Sequence, residues 1–150
     1  MRALVIGIGS PFGDDAVGLH VAERLSGQSL PDGVAVVARD RPGLSLLDDL
    51  ESTPAAVIVD ALRSGAQAGS VLRIPPAALA RDRLTSSHTL RVAETLSLAV
   101  ALGRRLPALR VVAIEIVLTQ GETLSPEVAA AIEPACEAAL AALGELLPRA

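Results

Sequence analysis

Apolar residues fall along this chain in two patterns. Four short runs are apolar at nearly every position: Ala3–Ile8, Val34–Ala38, Ala55–Asp60 and Arg110–Ile116. Runs of this length, rich in Val and Ile and without alternation, predict strands buried on both faces, as in a parallel sheet. Gly69–Ile74 is a fifth, weaker candidate. Between these runs the apolar positions recur with helical spacing. Asp15–Leu25 places Val17, Val21 and Leu25 on one stripe; Leu44–Leu50 is short, Thr89–Leu102 strongly apolar, and Pro126–Leu147 long and Ala-rich. Ser125, Pro126 and Glu127 read as N-cap, first helical position and an acid matched to the helix dipole. Pro134 should kink or split that last helix, because its ring removes an amide donor and crowds the preceding turn. Strands alternating with helices predict an α/β three-layer sandwich. Its sheet should be mostly parallel, twisted and of about five strands, with helices on both faces.

Composition narrows the chemistry. A length of 150 residues predicts a single domain over 1–150 with a real core. The formal net charge of −4 speaks against a general nucleic-acid binder. No apolar run approaches the roughly 18 residues needed to span a bilayer, and the N-terminus lacks a signal-peptide h-region. The lone cysteine, Cys136, cannot form an internal disulfide, which fits a reducing cytoplasm. All 13 basic residues are Arg, and Lys, Tyr, Trp and Asn are absent. Schiff-base chemistry, a P-loop lysine and a phenolic acid are thereby excluded. Phe12 is the sole aromatic, a poor supply for a large permanent interface, so a monomer is expected.

In open α/β sheets ligands bind beyond the carboxyl ends of the strands. Three polar features collect there. Asp15 follows the first strand through a glycine loop, Asp60 ends the third, and His88 lies in Thr85-Ser-Ser-His88 before a helix. Two carboxylates and an imidazole form a plausible metal set with positions left open for substrate or water. Each also has a plain structural reading. Asp15 is as readily a helix-start acid, Asp60 a strand-end turn residue and His88 a solvated loop residue. Gly7, Gly9 and Gly13 do not match G-x-G-x-x-G, and Pro11 with the acidic pair Asp14–Asp15 is adverse to a phosphate. His20 reads as a surface residue of the first helix and Cys136 as a small core residue rather than a nucleophile. Ser10 lacks a G-x-S-x-G context.

The segment Gly7-Ile-Gly-Ser-Pro-Phe-Gly-Asp-Asp-Ala-Val-Gly18 resembles the signature of the nickel–iron hydrogenase maturation endopeptidases. Val57-Ile-Val-Asp-Ala61, Ser87-His88, Ala113-Ile-Glu115 and Gly121-Glu-Thr-Leu-Ser-Pro-Glu-Val128 resemble its later motifs, in order. The resemblance implies an endopeptidase that trims the C-terminal extension of a nickel-loaded [NiFe] hydrogenase large-subunit precursor. By position it makes Asp15, Asp60 and His88 the nickel-contacting and catalytic residues, the trio found at the strand ends. The nickel would arrive with the substrate and then polarise the scissile carbonyl or supply bound hydroxide, or else be sensed only. Three departures stand out. Ser10 replaces the usual Asn, Asp40-Arg-Pro-Gly43 replaces a D-G-G-type turn, and the first metal-site acid is Asp15 rather than the longer Glu. Asp14 is expected to cap or to orient a neighbour, and Glu115 to form a structural salt bridge or to support the site from behind. Ser10, Phe12, Arg41 and Leu44 are expected on the rim of a substrate groove. Two other readings remain: a non-cleaving checkpoint for the same subunit, and a small-ligand or nucleotide module built on Gly7–Gly13.

Overall fold

The computed structural model describes residues 1–75 and 91–149. The strands are β1 (Ala3–Gly9), β2 (Val34–Asp40), β3 (Ala55–Leu62), β4 (Val71–Ile74) and β5 (Ala108–Glu115). The helices are α1 (Val17–Ser26), α2 (Leu46–Glu51), α3 (Arg91–Ala101), α4 (Pro126–Ala129) and α5 (Ile132–Leu146). The sheet order is β2-β1-β3-β5-β4. β1 pairs in parallel with β2 and β3, and β3 with β5. All the apolar runs are strands, and the sheet is mostly parallel, as their lack of alternation predicts. The exception is β4, which runs antiparallel to β5 at the edge. Only residues 63–70 separate it from β3, fewer than the dozen or so that a parallel crossover requires.

Strand alternation divides the core in two. Val5, Val57, Val59, Val112 and Ile114 face one way and bury Val17, Val21 and Leu25 of α1 with Ala135, Ala139 and Leu143 of α5. Ile6, Ile8, Ile58 and Val111 face the other way, against Leu46, Leu47 and Leu50 of α2 and Val92 and Leu96 of α3. Cys136 belongs to the first layer at 1% exposure, and burial pushes its thiol pKa up. It is a core residue, as its alanine surroundings predict.

Several elements end elsewhere than the periodicity suggests. A 3₁₀ turn over Gly13–Ala16 precedes α1, so Asp15 lies in that turn and the helix proper begins at Val17. The C-terminal helical segment is split, with α4 ending at Ala129 and α5 starting at Ile132. Pro134 then falls in the first turn of α5, where a missing amide proton costs nothing. Ser125 holds the N-cap position of α4 with extended backbone, but its side chain makes no capping bond. The expected cap is corrected: its hydroxyl donates to Asp14 instead, at 3.0 Å.

The glycines of the β1–α1 unit serve close packing. A Cβ on Gly7 would lie 2.1 Å from the Gly18 carbonyl oxygen, and one on Gly18 would lie 2.1 Å from that of Ile8. Strand and helix therefore touch backbone to backbone. The space that a dinucleotide loop would keep open is filled by the helix.

A candidate active site at the topological switch point

From β1 the chain passes through α1 on one face of the sheet to β2. It returns through α2 on the other face to β3, on the opposite side of β1. The carboxyl ends of β1 and β3 are thus the switch point, where open α/β sheets form their ligand crevice. Asp15 stands beyond β1, and Asp60 lies within β3, two residues from its end.

The two adjacent acids beyond β1 point to different tasks. Asp14 is fully buried and turned towards the segment after β5. Its carboxylate accepts hydrogen bonds from the amides of Val117 (3.3 Å), Leu118 (2.9 Å) and Ser125 (2.6 Å), and from the Ser125 hydroxyl. The Asp14 amide donates to Leu118 at 2.7 Å, and that of Gly13 to Gly121 at 2.8 Å. Gly13 allows this: its φ is +54°, and a Cβ would lie 2.7 Å from the Gln120 carbonyl oxygen. Burial alone would raise the Asp14 pKa, but the bonds from Ser125, Leu118 and Val117 outweigh it and hold the carboxyl below its ordinary value. Asp14 therefore fastens the loop after β1 to the loop after β5.

Asp15 is 8% exposed and lines a cleft of about 290 Å³ with Ser10, Phe12, Arg41, Ala61, Arg63, Ile116 and Thr119. The Ser10 hydroxyl donates to Asp15 Oδ2 at 2.6 Å, and the Ser10 amide to the Asp15 carbonyl at 3.1 Å. This serine thus orients the carboxylate at the position where the resembled signature carries Asn. Asp60 is fully buried; its Oδ1 accepts from the amide of Ala61, which itself lines the cleft. His88 lies outside the described residues. No group of three or more His, Cys, Asp or Glu able to hold a metal occurs among the described residues.

The rim expectations meet mixed results. Phe12 (52% exposed) and Arg41 line the cleft, whereas Leu44, though 58% exposed, is not among its lining residues. Arg63 lines it too, and no strand or spacing signal marks it beyond its place just after β3. Arg41 also lines a second cavity of about 270 Å³ with Ile8, Pro42, Leu46 and Val92. Its guanidinium is held by both Asp40 oxygens, at 2.7 and 3.3 Å, and lies 5.7 Å from the Phe12 ring centroid. Hydrogen bonding to Asp40, then the charges of Asp40 and Asp15, raise its pKa. Glu115 corrects the salt-bridge expectation. It is 2% exposed and accepts hydrogen bonds from the Ser64 amide and hydroxyl, tying the chain after β3 to the end of β5. His20 is exposed on α1 and apart from the cleft lining.

Comparison with known proteins places this architecture. A family model described as hydrogenase maturation protease matches residues 19–142. The hydrogenase 2 maturation protease of Escherichia coli is 34% identical over 152 residues, covering 97% of this chain and 92% of its own. The solved hydrogenase maturating endopeptidase HybD of Escherichia coli superposes with a TM-score of 0.77 at 33% identity, covering 97% of this chain and 93% of that one. A hydrogenase 2 maturation peptidase from a Thaumarchaeota archaeon superposes with a TM-score of 0.72 at 26% identity, over 96% and 99% of the two chains. The family match begins just past the Gly7–Gly18 signature, while the pairwise matches span nearly the whole chain. With the doubly wound fold and the acidic switch point, these matches show that the chain belongs to the hydrogenase maturation protease family.

Proposed function

We propose that this protein removes the C-terminal extension from the nickel-loaded precursor of a [NiFe] hydrogenase large subunit. The observation that carries the reading is Asp15, nearly buried yet lining a cleft at the switch point of the sheet and oriented by Ser10. Asp60, two residues before the end of the neighbouring strand, supplies the second carboxylate, and His88 is assigned as the imidazole that completes the set. Nickel is part of the substrate in this scheme. Carboxylates and a neutral imidazole are ordinary ligands for it. Nickel held there supplies Lewis acidity next to the scissile carbonyl. The protein contributes placement: Ser10 fixes the Asp15 carboxylate, and Asp14 fixes the loop that carries both acids. The protein acts as a cytoplasmic monomer that meets its substrate transiently. Among the described residues no helix is long and apolar enough to cross a membrane.

The second reading, a checkpoint that recognises the nickel-loaded subunit without cutting it, uses the same residues. The nucleotide reading is disfavoured, because α1 fills the space beside Gly7 and the turn before it, with Leu19 of α1, the space beside Gly9. The test is to incubate the protein with nickel-loaded and nickel-free large-subunit precursor from its host and to weigh the precursor. Loss of a C-terminal peptide from the loaded form alone, absent with His88→Ala or Asp15→Ala, is expected. Complex formation with an unchanged mass would favour the checkpoint. Cleavage retained in Asp15→Ala would refute the role given to the carboxylate.

A further inference from the structure

Arg41 is the only described non-glycine residue with positive φ, at +45°. An L side chain is strained in that region, and such strain persists where the surroundings enforce it, often at functional sites. The backbone here is enforced: the Arg41 amide donates to the Gly9 carbonyl at 2.9 Å, continuing the β1–β2 ladder by one rung. Glycine would meet the same backbone demand without strain. The fold therefore does not ask for an arginine. What the arginine adds is a guanidinium lining the Asp15 cleft, 5.7 Å from the Phe12 ring centroid and held through Nε and Nη2 by Asp40. Arg63 lines the same cleft and makes no hydrogen bond or ion pair with the described residues. Among the described residues that line that cleft, Asp15 is the one carboxylate, and it accepts a hydrogen bond from Ser10.

We infer that Arg41, assisted by Arg63, is a specificity determinant that binds a carboxylate of the substrate segment lying across the Asp15 cleft. The inference rests on the proposed function and names the chemistry its substrate must carry. Guanidinium planes suit this task because they meet carboxylates in a fixed, paired geometry. The carboxylate is either an Asp or Glu side chain near the cut bond or the terminal carboxylate of the extension.

The experiment measures both cleavage kinetics and precursor binding for wild type, Arg41→Gly, Arg41→Lys and Arg63→Gln, with thermal melts alongside. Arg41→Gly should melt no lower than wild type, since it relieves the backbone. Its KM and its Kd for the precursor should rise about tenfold or more, as for loss of a charged hydrogen bond, with kcat within about twofold. Arg41→Lys should recover part of the loss and Arg63→Gln show a smaller one. Wild-type KM should rise between about 0.02 and 0.3 M salt, and that dependence should flatten in Arg41→Gly. Precursors with Asp and Glu near the cut changed to Asn and Gln, or with residues appended to the terminus, tell the two carboxylate sources apart. Unchanged KM, Kd and salt dependence in Arg41→Gly, or indifference to both precursor changes, would overturn the inference. A clearly lower melting temperature would also overturn it, by making Arg41 structural. Wild type that binds without cutting would refute the proteolytic reading, yet Kd would still judge Arg41. Wild type that neither binds nor cuts would overturn both.

Discussion

Removing the Asp14 carboxylate should loosen the molecule, because it is fully buried and holds the loop after β5. In Asp14→Ala the amides of Val117, Leu118 and Ser125 lose their acceptor together. Charged hydrogen bonds contribute roughly 1.5–3 kcal/mol each, and a buried donor left unmatched costs about 1–3 kcal/mol. These terms overlap, and water reaches part of this half-exposed loop, so the net loss should be about 3 kcal/mol rather than their sum. For a chain of this size that lowers the melting temperature by about 6–12 °C. Ser125→Ala, which removes one hydroxyl donor, should cost only about 1 kcal/mol, and the double variant should cost less than the two added. Acid gives a second check. The folded Asp14 pKa lies below its ordinary value of 3.8. Its contribution is therefore complete above the unfolded-state value and disappears as the pH falls through the folded-state value. The stability gap between wild type and Asp14→Asn should be constant above about pH 5 and close below about pH 4. Denaturant melts at several pH values measure it. An Asp14→Ala protein melting within a degree or two of wild type, or a gap indifferent to acid, would refute the account of this residue.

Three further outcomes follow from the packing and the cleft. Gly18→Ala forces a methyl group to within 2.1 Å of the Ile8 oxygen and 2.8 Å of the Val59 oxygen. It should yield no folded protein or lower the melting temperature by more than about 10 °C; a near-normal melt would contradict the backbone contact. Leu143→Ala opens a cavity at a position 1% exposed and should cost about 2–5 kcal/mol in a urea titration. Ser10→Ala removes the 2.6 Å donor to Asp15 and should cut kcat several-fold while costing about 1–2 kcal/mol of stability. Equal kcat in that variant would dismiss Ser10 as the orienting group.

The sheet was legible because its central strands β1, β3 and β5 are buried on both faces and announce themselves as unbroken apolar runs. β2 reads the same way but, at the edge of the sheet, is only half-buried. Even the edge strand left a trace at Gly69–Ile74, though not its reversal, which the short connection from β3 dictates. The division of labour between Asp14 and Asp15 was not legible. Adjacent acids at a helix start look alike until the chain returns from Ser125, 111 residues later, to claim one of them. Glu115 misled for a similar reason: a buried carboxylate suggests a cation, and here a backbone amide and a hydroxyl suffice. Ser125 was correct as a position and wrong as a cap, because Asp14 offers its hydroxyl a charged acceptor where the helix offers only an amide. Arg63 escaped notice because a lone arginine after a strand carries no pattern of its own.

With no Trp or Tyr and a single Phe, this protein is almost silent in near-ultraviolet absorption and intrinsic fluorescence. Its one aromatic ring sits, exposed, where the cleft opens and the Arg41 guanidinium lies over it. A tryptophan placed there by Phe12→Trp would shine against a dark background. The cation above it and any peptide chain entering beside it would each alter the emission. The same scarcity of aromatics that leaves the core to small aliphatic side chains thus makes position 12 a natural optical window on the arrival and departure of substrate.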